Sequence, residues 1–424
     1  MRLMSSFLHR FFSGHRPKLG GLEILKYIGP GFIVTVGFID PGNWATNVAA
    51  GSQFGYSLLW VITLSTLILI LVQHNAAHLG IVTGLCLSEA VAKFSGKRWS
   101  AFLLGSAMLA SISTSLAELL GAAIGLNMLF EIPVPLGTIL TAIVVVAVVL
   151  SKGYRAIERY IIGFVSLIGL SFIYEIFLAD VNWPTTARSL FVPTVPPGSI
   201  MIIMAVIGAV VMPHNIFLHS EIIQSRQLHL GDAESIKKHL RYEYIDTIAA
   251  MLAGWAINSA MVIMAAAVFF SDHTVVTELA QAEKTLKPLL GNSAALVFAT
   301  ALLFAGFSSS ISSALAGGSI FAGYFGEPLD VADSHSRLGI VLSIGLAALA
   351  ILFLSNPFQG LIWSQVALSI QLPWTVLGLI ILTSSKRVMG IHRNTGMEKW
   401  LLWGIAVFIA ALNGILLYSL ISSG

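Results

Sequence analysis

Asp40-Pro41-Gly42-Asn43 and Met212-Pro213-His214-Asn215 each place a proline, with asparagine two residues on, inside a stretch apolar enough to cross a bilayer. Proline within a helix removes a backbone donor and clashes with the preceding turn, so each string predicts a break. In lipid, unwound backbone persists only where protein buries it or where it lines a polar cavity. Interrupted spans at matching positions of two halves point to a binding site near the membrane midplane. The atoms offered there are the Asp40 carboxylate, the Asn43 amide, the Met212 thioether and freed carbonyls. That mixed set suits a divalent transition-metal ion. Hard Mg²⁺ and Ca²⁺ prefer oxygen, so sulfur moves the expectation toward Mn²⁺, Fe²⁺, Co²⁺ or Cd²⁺. Gln365, a polar residue of a later span, is a candidate for a further ligand. Each residue also has a structural reading. Asp40 can cap the half-helix that follows it, Asn43 can satisfy freed backbone, and methionine in a membrane helix is commonly packing.

Other ionisable groups inside apolar stretches are few: Glu118, His214, His219 and Glu221. Such groups are expensive in hydrocarbon and mark ion paths or proton relays. His214 is open to three roles: ligand, proton carrier or hydrogen-bonded structural residue. Glu118, one turn from Ser115, is a proton-relay candidate, because an unpaired buried carboxyl protonates. His219 and Glu221 stand near the inner end of the same span. His74 and His78 share one helical face; they read as gate or interface residues in preference to a metal pair. Glu89, Glu175 and Asp246 are expected at interfaces.

The elements that must position these groups follow from composition. The 424 residues are 56% hydrophobic and only 10% charged, against roughly 25% charged in soluble domains. This is a polytopic membrane protein. Its single cysteine, Cys86, excludes an internal disulfide and any multi-cysteine metal cluster. At about 20 apolar residues per span, eleven spans are expected, near 26–52, 55–79, 100–129, 133–150, 157–179, 197–225, 244–271, 293–322, 338–355, 358–384 and 398–421. With the N-terminus inside, all but Arg188, Lys284 and Lys287 of the 23 Lys and Arg residues fall on the inner side. The basic start lacks the apolar core of a cleavable signal and reads as a cytoplasmic tail, with the C-terminus outside. The broken spans are the first and sixth. An odd offset inverts one half relative to the other. The expected fold is therefore an all-α, inverted five-plus-five repeat of the leucine-transporter type. A tail (1–25), a core (26–384, halves about 26–179 and 197–384) and a linker with an extra helix (385–424) divide the chain.

The chain resembles the Nramp family (natural resistance-associated macrophage proteins) of proton-coupled divalent-metal transporters. The resemblance rests on Gly29-Pro30-Gly31-Phe32, the two strings above, Gln53-Phe54-Gly55-Tyr56, Leu79-Gly80-Ile81-Val82-Thr83-Gly84, Leu116-Ala117-Glu118, Ser364-Gln365-Val366 and Gln371-Leu372-Pro373. They stand in family order and cover nearly the whole chain. The resemblance implies metal binding by Asp40, Asn43 and Met212, with carbonyls near Gly37 and Ala209 and the Gln365 side chain joining in some states. It implies a proton-linked role for His214 and for His219. Three residues depart from the family pattern: Ser115 and Asn47 where aspartates are common, and Phe307 where glutamine is usual. Ser115 removes a carboxylate commonly used for proton exit.

The function expected is import of Mn²⁺ or Fe²⁺ across a cell inner (plasma) membrane by alternating access, with proton cotransport. The metal is substrate, and no cofactor is expected. Partners are metal ions, protons and the lipid bilayer; no nucleic acid and no obligatory protein partner is inferred. A proton-independent metal uniporter, or a sodium-coupled carrier of an organic solute on the same fold, are the alternatives within transport. Met212 does not suit Na⁺. A membrane sensor would need a cytosolic domain, and no loop is long enough for one. No nucleophile–base pair or cofactor motif suggests an enzyme.

Overall fold

A computed structural model of the chain describes residues 40–151, 169–177, 179–224, 233–287 and 291–422. Gly37, the tail 1–25, the first part of span 1 and most of span 5 lie outside the described residues. Every regular element among those described is a helix.

The first proline string starts α1 (Pro41–Phe54). Pro41 occupies its first turn, where a missing amide hydrogen costs nothing. A 3-10 turn leads to α2 (Leu59–Thr83). Then come α3 (Leu87–Phe94), α4 (Lys97–Phe130), α5 (Val134–Leu150) and the short α6 (Trp183–Ser189). The second proline string splits one span into α7 (Ile200–Val211) and α8 (Pro213–Gln224). Next is α9 (Ala233–Ala265), ending in a π-helical turn over Ala266–Phe270. The remaining helices are α10 (Ala294–Tyr324), α11 (Ser334–Ile351), α12 (Pro357–Thr383), α13 (Lys386–Met389) and α14 (Met397–Ser422).

Eight helical stretches among the described residues are long and apolar enough to cross a membrane. One of them, Pro41–Thr83, contains the later half of span 1 together with span 2. Span 4 is the 17-residue α5. The broken span is the most enclosed: 89% of the apolar window in Ile200–Ile223 is buried, against 33% for Met397–Ser419. The site therefore sits on the axis of the bundle, and α14 sits on its rim.

Helix pairing follows the inverted repeat. Span 1 (α1) packs on span 7 (α9), and span 6 (α7, α8) packs on span 2 (α2). Span 3 (α4) runs along span 8 (α10), and span 4 (α5) along span 9 (α11). Advancing every span by five exchanges the first two pairings and returns the other two to themselves. Apolar side chains gain little from leaving lipid, so close approach through small residues holds such bundles together. At Gly208 a β-carbon would overlap the Gln365 carbonyl oxygen. Backbone of α7 thus rests directly on backbone of α12, beside both proposed ligand positions.

Pro373 lies inside α12 and cannot donate to the carbonyl four residues back. That carbonyl, of Ser369, accepts instead from Asn413 Nδ2 of α14 at 3.0 Å. The extra helix therefore satisfies a backbone group that the break leaves free.

Helix bounds differ from expectation where charge obscured them. α9 begins at Ala233, ten residues or so before the apolar span, because its amphipathic start carries Lys237, Lys238 and Arg241 and reads as loop. Glu89, Glu175 and Asp246, expected at interfaces, are buried within the protein. Glu89 has a capping role: its carboxylate accepts from the Cys86 amide at 2.9 Å at the start of α3.

Candidate metal site

Asp40 is the N-cap of α1, with extended backbone, and its carboxylate accepts from the Asn43 amide N–H. The capping reading of Asp40 is thus realised. The same carboxylate also reaches the Asn43 side chain, whose Nδ2 donates to Asp40 Oδ2 at 2.9 Å. The three-residue spacing at the start of α1 does turn both side chains to one point. Asn43 Nδ2 donates as well to the Ala209 carbonyl, at 3.0 Å. Ala209 lies in the last turn of α7, where carbonyls lack helical partners. One amide therefore links the start of α1 to the end of α7.

Met212 follows Ala209 by three residues. It is the C-cap of α7 with φ 46° and ψ 82°, left-handed backbone that a non-glycine side chain rarely adopts. Such a conformation costs on the order of 1–3 kcal/mol and persists only where the surroundings enforce it. Pro213 follows immediately and forbids the helix from continuing. The thioether Sδ accepts from Asn215 Nδ2 at 3.2 Å. Asp40, Asn43, Ala209 and Met212 are all buried, none more than 3% exposed.

Gln365 joins them from α12. A β-carbon on Gly42 would overlap the Gln365 side-chain amide and stand 3.2 Å from Asp40 Oδ1. The Gln365 amide and the Asp40 carboxylate thus flank the same small space, which glycine keeps open. Gln365 Nε2 donates to Ser364 Oγ at 3.1 Å. Gly37, the last of the expected ligands, lies outside the described residues.

The proton-pathway candidates divide into two groups. Glu118 is buried on α4, within electrostatic reach of Asp40, and its Oε2 has no hydrogen-bond partner among the described residues. One turn further along α4, Gly121 meets the Pro41 ring, which brings α4 onto the break. His214, in the first turn of α8, places Nδ1 2.9 Å from Thr114 Oγ1 of α4. Sequence reading did not single out Thr114 for this contact; its neighbour Ser115 drew attention instead. His219 is fully buried further along α8, away from this group, with Nε2 3.5 Å from Glu243 Oε1.

The departures from the family pattern have local explanations. Ser115 belongs to a buried hydroxyl cluster: its Oγ lies 2.9 Å from Ser313 Oγ and 2.8 Å from Ser343 Oγ. Ser111 joins the cluster, donating to the Ser313 carbonyl at 3.0 Å. Asn47 donates from Nδ2 to Asn258 Oδ1 of α9 at 2.6 Å, a neutral pair needing no counter-charge. Phe307 packs, half-buried, against the core.

With this geometry in place, the comparisons decide the family. The model of the natural resistance-associated macrophage protein-like (Nramp) family matches residues 31–419. The chain belongs to the Nramp family. A divalent metal cation transporter MntH from Caldanaerobacter subterraneus subsp. tengcongensis is 40% identical over 406 residues, spanning 94% of each chain. The MntH of Brucella suis biovar 1 is 38% identical over 427 residues, spanning 97% of this chain and 92% of its own. Among solved structures, the Eremococcus coleocola manganese transporter, crystallised with an aromatic bis-isothiourea substituted compound, aligns with a TM-score of 0.77 at 28% identity. That alignment covers 95% of this chain and 89% of the other. Mhp1, a nucleobase-cation-symport-1 family transporter, aligns with a TM-score of 0.62 at 17% identity, over 92% of this chain and 87% of its own. The second likeness concerns the fold alone. This Nramp chain is an all-α, multi-pass membrane protein built on the inverted repeat of the leucine-transporter type.

Proposed function

We propose that this Nramp chain imports Mn²⁺ or Fe²⁺ by alternating access, with protons moving alongside. The observation that carries the reading is the meeting of the Asp40 carboxylate, the Asn43 amide and the Ala209 carbonyl where α1 starts and α7 ends, with Met212 capping α7 three residues on. Asp40, Asn43, the Ala209 carbonyl and Met212 are the metal ligands, and Gly37 and Gln365 join them in some states of the cycle. Anionic oxygen neutralises the ion, and thioether sulfur favours transition metals over Ca²⁺ and Mg²⁺. The breaks place helix ends against the ion, as in midplane transporter sites generally. The names of the MntH relatives and the solved manganese transporter support the same substrate class.

Glu118, His214 and His219 are the proton-pathway residues in this reading. The chain spans the inner membrane eleven times, its N-terminus cytoplasmic and its C-terminus outside. Residues 1–25 form the tail, 26–384 the core and 385–424 the linker with the last helix. One observation favours a second reading, proton-independent uniport: the hydroxyl cluster at Ser115 offers no carboxylate. Mn²⁺ entry into proteoliposomes holding a pH-sensitive dye separates the two. Metal entry with internal acidification is expected. Metal entry with no acidification makes the chain a uniporter, and entry that requires a sodium gradient overturns the proton reading altogether.

A further inference from the structure

Away from the metal site, Glu243 of α9 joins three helices. Its Oε2 lies 2.7 Å from His74 Nδ1 of α2, and its Oε1 accepts from Thr247 Oγ1 at 2.7 Å. The same Oε1 faces His219 Nε2 of α8 at 3.5 Å. Glu243 is buried, and His219 has no exposed surface at all. Buried charge-bearing groups are costly unless paired, and breaking such a pair from one side is more costly still. Below this tie lies a small apolar cluster separate from the main core. It contains Ala77 and Ile81 of α2, Ile223 of α8 and Ile236 of α9. The other flank of α8 is held independently: Ser220 Oγ accepts from the Leu87 amide at 2.9 Å, and Glu221 accepts from Ser319 Oγ at 2.7 Å. The seam facing α2 and α9 is therefore the one that Glu243 controls.

We infer that Glu243 is an inner-gate residue of this transporter: bearing on His219 and His74, it ties α8 to α2 and α9 and holds the seam between these three helices closed. The inference rests on the reading of the chain as an alternating-access metal carrier. α8 begins at the metal site, with Met212 and Pro213 at its head, and ends in this seam. A change at the ion is thus conveyed along one rigid half-helix to the Glu243 contact. Glu243 is a positioning residue, since it lies away from the ligands and acts through α8. His74 serves the gate, engaged by Glu243, and His78 stands one turn on with its ring centroid 6.3 Å away.

The test uses the full chain with Cys86→Ser, which removes its single cysteine, and Ala77→Cys as a reporter in the seam. Ala77 is fully buried, so a membrane-impermeant maleimide applied from the cytoplasmic side labels it slowly. Glu243→Gln and His74→Gln are each expected to speed labelling about tenfold, the factor that corresponds to about 1.4 kcal/mol. Mn²⁺ affinity in the same variants should stay within about twofold of the parent, because the ligands are untouched. His74 is partly exposed, so its variant reports even if Glu243→Gln fails to fold. Equal labelling in parent and variants would overturn the gate. Faster labelling accompanied by lost Mn²⁺ affinity in both variants would also overturn it, by showing general loosening. Failure of the parent itself to take up Mn²⁺ would instead overturn the reading on which the gate rests.

Discussion

Asp40 caps α1 and, in the proposed site, provides the formal charge, and substitution can separate the two roles. Asparagine is as good an N-cap as aspartate, so Asp40→Asn should leave α1 in place. It should nevertheless abolish Mn²⁺ uptake in proteoliposomes; near-parental uptake would remove Asp40 from the site. Met212→Ala keeps the break, which Pro213 enforces, and removes the sulfur. Cd²⁺ uptake should fall sharply, Mn²⁺ uptake less, and Ca²⁺ should become a competitor. Unchanged Cd²⁺ and Ca²⁺ profiles would make Met212 a packing residue. Ser115→Asp places a carboxylate beside two hydroxyls, of Ser313 and Ser343, one turn from Glu118. Metal-stimulated internal acidification should increase in that variant. At this scale the candidate ligands were legible in the sequence, because proline marks the strings and few polar residues stand beside them. The Asn215–Met212 and Thr114–His214 hydrogen bonds were not, since neither residue type by itself announces a partner.

Helix pairs, and the small residues between them, carry the next set of expectations. A β-carbon at Gly208 meets backbone of α12, which cannot yield as a side chain would. Gly208→Ala should therefore part α7 from α12, cost about 1–3 kcal/mol by overpacking and weaken Mn²⁺ binding through the displaced Ala209 carbonyl. Calorimetric unfolding and Mn²⁺ titration of the purified protein check both effects. Asn413→Leu leaves the Ser369 carbonyl unsatisfied in α12, at a cost of about 1–3 kcal/mol. Here the sequence was partly legible. The described spans and the break at Met212-Pro213 follow from hydropathy and proline. The start of α9 did not, because its lysines and arginine resemble a loop, and α3 is too short and amphipathic to register as a span. The Glu243 tie was invisible, since His74 lies 169 positions away and only the packed bundle brings them together.

For the whole molecule, the distribution of Lys and Arg sets the proposed orientation. Ile421, at the end of α14, is 82% exposed. Ile421→Cys should therefore react with an impermeant maleimide from the outer face of intact cells; reaction only after the membrane is opened would invert the topology. The inverted repeat was legible from the odd offset between the broken spans, and the helix pairings reproduce it. The central claim is that two helices, broken at Asp40-Pro41 and Met212-Pro213, jointly hold a transition-metal ion through oxygen and one sulfur. Cadmium X-ray absorption on the purified, Cd²⁺-loaded protein reads that directly. The account predicts one sulfur among oxygen and nitrogen neighbours in the parent, and its loss in Met212→Ala. A purely oxygen shell around bound Cd²⁺ in the parent, or sulfur retained in Met212→Ala, would contradict it.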